Sequence, residues 1–233
     1  MTELSQDASA LVTELCAAGG TAALCQHCHT ALDTVSGVGL TVFTGSAGRF
    51  VVGTDGILID QIEDLQISLN QGPCLEAVRT CRPVLVDDLA AASATVRWPA
   101  FTVQARRHGV AAVFAFPVLV GGTALAVLDL YRTTAGPLPK DDHQQAAAYA
   151  TAAAVLLTDD ARARATAQDG ASVPAGAART QQALGMVMAQ DGSDAAAALH
   201  RLRRHAADHN QSLAHIVDEI LTGRLRLDPA TGL

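Results

Sequence analysis

Cysteines, histidines and paired aspartates are the residues of this 233-residue chain whose types and spacing could do chemistry. Cys25-Gln-His-Cys-His29 has the C-x-x-C-H spacing of covalent haem attachment. Such attachment needs an exported, oxidising setting, and the polar, acidic first residues carry neither the basic n-region nor the apolar h-region of an export signal. On a helix Cys25, Cys28 and His29 share one face, which makes a soft metal site geometrically possible. No second Cys/His pair lies nearby in the sequence, and cysteine packs readily as a small core hydrophobe. Core packing is therefore the expectation, no metal ligand is assigned, and metal or redox sensing is the alternative. Cys74 and Cys81 stand seven apart, two turns along one helix face. Cys74 lies near the start of its helix, a setting that favours a thiolate, although a buried or pocket-lining thiol is the plainer reading. The pairs Asp87-Asp88, Asp141-Asp142 and Asp159-Asp160 fall at element ends, where adjacent side chains diverge, and read as caps or solvated groups. Neither a dinucleotide-binding glycine fingerprint nor a P-loop is present, and no histidine stands in a credible triad. No catalytic residue follows, and the chain does not read as an enzyme.

Composition bounds the rest. Hydrophobic residues make up 49% of the chain and mean hydropathy is +0.23, which supplies ample core and excludes a disordered polypeptide. The longest apolar run, Gly109 to Val120, is well short of the roughly 20 residues of a membrane span. A cytoplasmic protein with reduced thiols is the expectation. The net charge of −7 is unevenly placed: residues 1–171 hold 10 basic and 17 acidic side chains, residues 172–233 hold 6 of each. That balance excludes bulk coating of nucleic acid, which needs a net basic surface, and leaves room for a local, arginine-built one.

The elements that must position these residues follow from periodicity. Residues 8–32 read as a helix broken at Gly19-Gly20, and Val38–Phe43 with Gly48–Gly53 as a hairpin. A short helix follows over Pro73–Thr80, then a strand over Pro83–Val86 and a helix from Trp98 to His108, stopped by Gly109. Ala111–Val120 and Thr123–Tyr131 form a second hairpin around Gly121-Gly122. A long helix runs from Asp141 to about Arg164, and the small polar residues after it read as a linker. Strands with interleaved helices but no regular βαβ alternation predict an α+β domain on an antiparallel sheet. Trp98, Phe101, Phe114 and Phe116 gather near that sheet and, with Cys74, would line a pocket for a small-molecule effector.

Three short helix patterns close the chain. Leu213, Ile216, Val217, Ile220 and Leu221 form one apolar stripe between Ser212 and Gly223, an N-cap and a C-terminal stop. Ala198, Leu199, Leu202 and Ala206 form a second, with Arg201 and Arg204 read as lying opposite it and Arg203 on its flank. Ala183 and Val187 mark the first, preceded by Pro174.

The run Ala178-Arg-Thr-Gln-Gln-Ala-Leu-Gly-Met-Val-Met188, with the two patterns after it, resembles an ANTAR domain, the RNA-binding helical module of bacterial antitermination regulators. Upstream, Leu69-Asn-Gln-Gly-Pro-Cys-Leu-Glu-Ala77, Arg97-Trp-Pro-Ala-Phe101, Gly109–Pro117 and Leu128-Asp-Leu-Tyr-Arg132 resemble the GAF domain found ahead of ANTAR domains in actinobacterial proteins. The resemblance implies a GAF-like sensor with a coupling helix over residues 8–165, a linker at 166–173, an ANTAR-like unit of three helices at 174–224 and a tail at 225–233. It further implies about six antiparallel strands, a ligand pocket on one sheet face, a homodimer, and structured RNA stem-loops as partner. Arg179, Gln182, Arg201, Arg203 and Arg204 are the residues available to RNA. The family's Ala-Lys-Gly step reads Ala183-Leu184-Gly185 here, which removes a phosphate contact or positioning charge. A DNA-binding regulator is the alternative, opposed by the acidic Asp218 and Glu219 on the third helix, where a recognition helix wants bases. A thiol-dependent enzyme is the third reading, since GAF-fold enzymes that reduce free methionine sulfoxide use pocket cysteines. No cofactor is assigned.

Overall fold

Glycine breaks and β-branched runs cut the first 160 residues into short elements arranged around one antiparallel sheet. A computed structural model describes residues 6–43, 49–56, 59–167, 175–192, 198, 201–202, 204–205 and 213–227. By its internal contacts the chain divides into two units, Met1–Asp160 and Ala161–Leu233.

In the first unit, α1 (Gln6–Ala18), a single 3-10 turn (Gly20–Ala22) and α2 (Leu24–Ala31) precede β1 (Gly37–Phe43) and β2 (Arg49–Gly56). Next come α3 (Ile59–Leu69), α4 (Pro73–Thr80), β3 (Val84–Val86), α5 (Ala92–Arg97) and α6 (Pro99–Arg107). The hairpin β4 (Ala112–Val120) and β5 (Thr123–Arg132) leads into the 28-residue α7 (Lys140–Ala167). The sheet order is β2-β1-β5-β4-β3, and every pairing is antiparallel. Five strands stand in the sheet of the described residues, against the six or so implied by resemblance.

Period-two alternation gives the sheet two faces of different chemistry. On the first, Val38, Leu40 and Val42 of β1, Phe114, Phe116 and Val118 of β4, and Ala126, Leu128 and Leu130 of β5 pack against α1, α2 and α7. Alanines at 146, 150, 152 and 153 of α7 let that helix close on the sheet, with Tyr149, Leu156 and Leu157 filling between. On the second face, Val113 and Ala115 of β4 and Val127 and Tyr131 of β5 meet α3, α4, α5 and α6 through Ile59, Ile62, Cys74, Ala77, Trp98 and Phe101. Two of the helices that cover this face, α3 and α5, have no counterpart in the periodicity analysis. The helix read as starting at Trp98 is α6, which begins at Pro99, its first-turn position.

The second unit contains α8 (Ala175–Asp191) and α9 (Leu213–Leu221). Ala183, Leu184 and Val187 of α8 share a core with Ala198, Leu202, Ile216, Val217 and Ile220. Gly223, at φ 73°, ends α9: its N–H reaches the Ile220 carbonyl at 3.0 Å and the Arg224 N–H reaches Glu219 at 2.8 Å. That crossed pair satisfies two otherwise orphaned carbonyls, and the positive φ is why glycine stands there.

Burial predicts a large contrast in sensitivity. Phe116→Ala, at a position 1% exposed, lowers unfolding free energy by about 3–5 kcal/mol in urea melts. Val96→Ala, at a position 81% exposed, shifts it by less than about 0.5 kcal/mol.

Candidate functional site

Helix α3 reaches the sheet because β1 presents glycine twice. Residues two apart on a strand rise about 6.6 Å and residues four apart on a helix about 6 Å, so Gly37 and Gly39 face Ile59 and Glu63 in step. A Cβ on Gly37 would lie 2.3 Å from Ile59 Cδ1, and one on Gly39 2.1 Å from Glu63 Oε1. Any larger residue would push the Ile59 and Glu63 side chains out of these positions. Gly39 is also the cross-strand partner of Asp129, and Gly37 of Tyr131. The Glu63 side chain is thereby laid against two polar residues of β5.

The result is a polar centre under the apolar second face. Glu63 Oε1 accepts from the Tyr131 hydroxyl at 2.8 Å, and Oε2 accepts from Thr41 at 2.8 Å. Tyr131 in turn accepts from Gln66 Nε2 at 2.9 Å, and Gln66 Oε1 accepts the Cys74 backbone N–H at 3.0 Å. Gly72, at φ 135°, precedes Pro73 and lets this chain form, because a Cβ there would sit 2.2 Å from Gln66 Oε1. Cys74 thus enters at the first turn of α4 beside Asp129. Ligand atoms of Glu63, Cys74 and Asp129 all lie within 4.8 Å of one another. Asp129 is fully buried, and neither of its carboxylate oxygens has a hydrogen bond of normal geometry.

Burial controls the electrostatics. Desolvation pushes the Glu63 carboxyl up from its ordinary 4.5 to about 7, against the lowering effect of the Tyr131 and Thr41 hydroxyls and with help from Asp64 and Asp60. Asp129 is raised well above the carboxylate range by burial first and by Glu63 second. The Cys74 thiol is raised by burial and then by Asp129 and Glu63, which keeps it protonated, the opposite of what a thiolate nucleophile needs.

The residues predicted to line a pocket divide between the faces. Cys74, Trp98 and Phe101 are buried together on the second face. Phe114 and Phe116 lie on the first face, behind the sheet, and do not join them. Arg97 stacks its guanidinium 4.2 Å over the Trp98 ring and pairs with Glu76. An apolar cleft of about 470 Å³ opens between Phe43, Val78, Val120 and Leu125. Cys25 and Cys28 are core residues of the first face, their thiols raised by burial, while His29 Nδ1 meets Asp55 at 2.5 Å. His27 binds the Tyr149 hydroxyl at 2.6 Å, which ties α2 to α7.

Of the residues assigned to RNA, Gln182 and Arg204 are exposed. Arg201 is buried, at 8% exposure, which corrects its placement opposite the apolar stripe. It follows Ala198 by three residues, one turn along the same side of the helix. Arg203 and the side chain of Arg179 lie outside the described residues. Leu184, in place of the family's lysine, is 6% exposed and belongs to the core of the second unit.

Residues 5–158 match the GAF domain family. The chain belongs to it. Residues 175–221 match the ANTAR domain. The GAF domain of a phosphoenolpyruvate-protein phosphotransferase from Acinetobacter superposes with TM-score 0.51 at 9% identity, covering 70% of this chain and 98% of that one. The corresponding GAF domain from Coxiella burnetii gives 0.50 at 13% identity, covering 70% and 99%. At these identities the likeness shows the GAF fold alone. No curated protein matches the chain.

Sequence reasoning missed Glu63, Gln66, Asp129 and Tyr131, the polar part of the GAF unit's buried centre. A usable signal was present: Asp129 interrupts the apolar run of β5, and Gly37-x-Gly39 stands opposite it. The raised Glu63 predicts an unusual pH profile for protein stripped of metal ions. The folded state holds its proton up to about 7 while the unfolded chain loses it near 4.5, so stability is greatest below 4.5 and falls as pH rises through 7. Urea melts from pH 5 to 8 should show a loss of about 2–3 kcal/mol. Glu63→Gln should reduce the slope without abolishing it, since Asp129 stays raised by its own burial.

Proposed function

We propose that this chain is a signal-responsive regulator of transcription antitermination, with the GAF unit as input and the ANTAR unit as an RNA-binding output. The observation that carries the reading is the pairing of a GAF match over residues 5–158 with an ANTAR match over residues 175–221. The buried polar centre of the GAF unit supports an input role, because a structural core gains nothing from two desolvated carboxyls side by side. Helix α7 supplies the core of the first unit up to Leu157 and runs on to Ala167, and it is the coupling element of this reading.

For the output, Gln182 and Arg204 are exposed and available to RNA, and Arg179 and Arg203 join them in the proposal. Arg201 is better placed to support the helix than to stack on a base, because it is buried. Exposed arginine planes suit the splayed bases of stem-loops, with charge holding the backbone. The working form is a homodimer that captures paired stem-loops in the cytoplasm, where transcripts are made. No helix among the described residues is long and apolar enough to cross a membrane.

A gel shift on paired-hairpin RNA, with duplex DNA as competitor, tests the reading. Wild-type protein should bind the hairpins at low salt and resist the DNA. Arg204→Ala should weaken binding by roughly fivefold and reduce the salt slope by about 0.7. Absence of any shift at low salt overturns the RNA assignment, and preferential loss to duplex DNA favours a DNA-binding regulator.

A further inference from the structure

We propose that Glu63, Cys74 and Asp129 form a binding site for one divalent transition-metal ion of borderline softness, of which zinc is the type. The inference rests on the reading of the GAF unit as the input stage and names the class of signal it receives. Three side chains from three elements, α3, α4 and β5, converge with their ligand atoms within 4.8 Å of one another. In a tetrahedral site with metal–oxygen bonds near 2.1 Å and a metal–sulfur bond near 2.3 Å, ligand atoms stand roughly 3.5 Å apart. Small side-chain rotations close that difference.

A second observation points to a missing positive charge. Asp129 is fully buried, and neither of its carboxyl oxygens makes a hydrogen bond of normal geometry, although Cys74, Gln66 and Glu63 stand beside it. Among the described residues, neither Asp129 nor Glu63 has an ion-pair partner. Two carboxyls buried in one place stay protonated in the absence of a cation and ionise together only where one compensates them. A divalent ion does so at a single point. On binding, the thiol and carboxyl protons leave to solvent and the ion takes their place, so no oxidant or reductant is involved.

The surroundings fix what kind of ion fits. A cysteine ligand disfavours magnesium and calcium, which take oxygen donors, and favours zinc, cobalt or iron(II). Glu63 is already oriented by Thr41 and Tyr131, and Tyr131 by Gln66, the outer hydrogen bonds that metal carboxylates use. Gly39 and Gly72 hold the backbone close against the Glu63 and Gln66 side chains, and a bare ion needs only the space among its ligands. Three protein ligands leave a fourth position for water or a donor atom of a second molecule. Cys25, Cys28 and His29 form no such group, since His29 is turned to Asp55.

The test uses the full chain, free of affinity tag and treated with chelator, titrated with cobalt(II). One equivalent should bind, with the visible bands of four-coordinate cobalt and a thiolate-to-cobalt charge-transfer band, both removed by zinc. Cys74→Ser should lose the charge-transfer band, while the double variant Cys25→Ser/Cys28→Ser keeps it. Asp129→Asn preserves shape and so guards against a folding artefact; it should weaken binding at least about 100-fold, and Tyr131→Phe about 10–100-fold. The proposal is overturned if folded wild-type protein gives no charge-transfer band, if the band survives in Cys74→Ser, or if it disappears with Cys25 and Cys28. Hairpin-RNA shifts run on the same samples separate the two readings. A chain that shifts RNA but takes up no cobalt sinks the metal site alone, and the converse sinks the RNA output alone.

Discussion

The close approach of α3 to β1 is the constraint on which the first unit depends. Gly37 and Gly39 remove two side chains from one strand, and Ile59 and Glu63 occupy the vacated space one helical turn apart. Without that approach Glu63 has no reason to be buried, and the hydrogen bonds from Thr41 and Tyr131 lose their acceptor. Gln66, one turn further along α3, passes the same constraint on to the start of α4 through the Cys74 N–H. One pair of glycines therefore sets the position of two helices and of every polar group in the centre.

The two faces of the sheet express different priorities. The face under α7 is apolar throughout, packed with alanine, leucine and phenylalanine, and its cysteines are inert by burial. Such a core gives stability and nothing else. The opposite face contains an equally dry core but includes four side chains, Thr41, Glu63, Gln66 and Asp129, that each demand a partner. Thr41, Glu63 and Gln66 make hydrogen bonds of normal geometry within the chain, and Asp129 makes none. A buried acid without a partner is unfavourable by several kcal/mol, so its retention argues for a function at that point rather than for folding.

Much of this architecture was legible in the sequence. The Gly121-Gly122 hairpin, the Pro73 helix start and the Gly223 stop are local signals, and the structure has an element edge at each. The grouping of aromatics failed because strand residues 112–118 are buried on both sides. With no polar alternation to mark the faces, Phe114 and Phe116 could be paired with each other but not assigned away from Trp98 and Phe101. Helix α3 escaped because its buried side mixes Ile59 and Ile62 with Glu63 and Gln66, so an apolar stripe is absent where the polar centre requires it to be. The same polar side chains that build this centre hid it from a hydrophobicity pattern. Arg201 is a different case: it is read as lying opposite the stripe, but its one-turn spacing from Ala198 sets it beside the stripe, and it is buried.

Leu184 bears on the relation between fold and output. A lysine at this position would carry charge to a surface, yet here the side chain is 6% exposed and shares a core with Val187, Ile216 and Ile220. Burying a leucine contributes about 2 kcal/mol to a core as small as that of the second unit. Leu184 thus supplies core volume to the helical unit where a lysine would supply surface charge. In the proposed RNA-binding role, recognition would rest more on residues that present planes and amides, such as the exposed Arg204 and Gln182, than on a point charge. In that role such a surface would read loop shape more than backbone charge, which suits residues 172–233, where basic and acidic side chains balance.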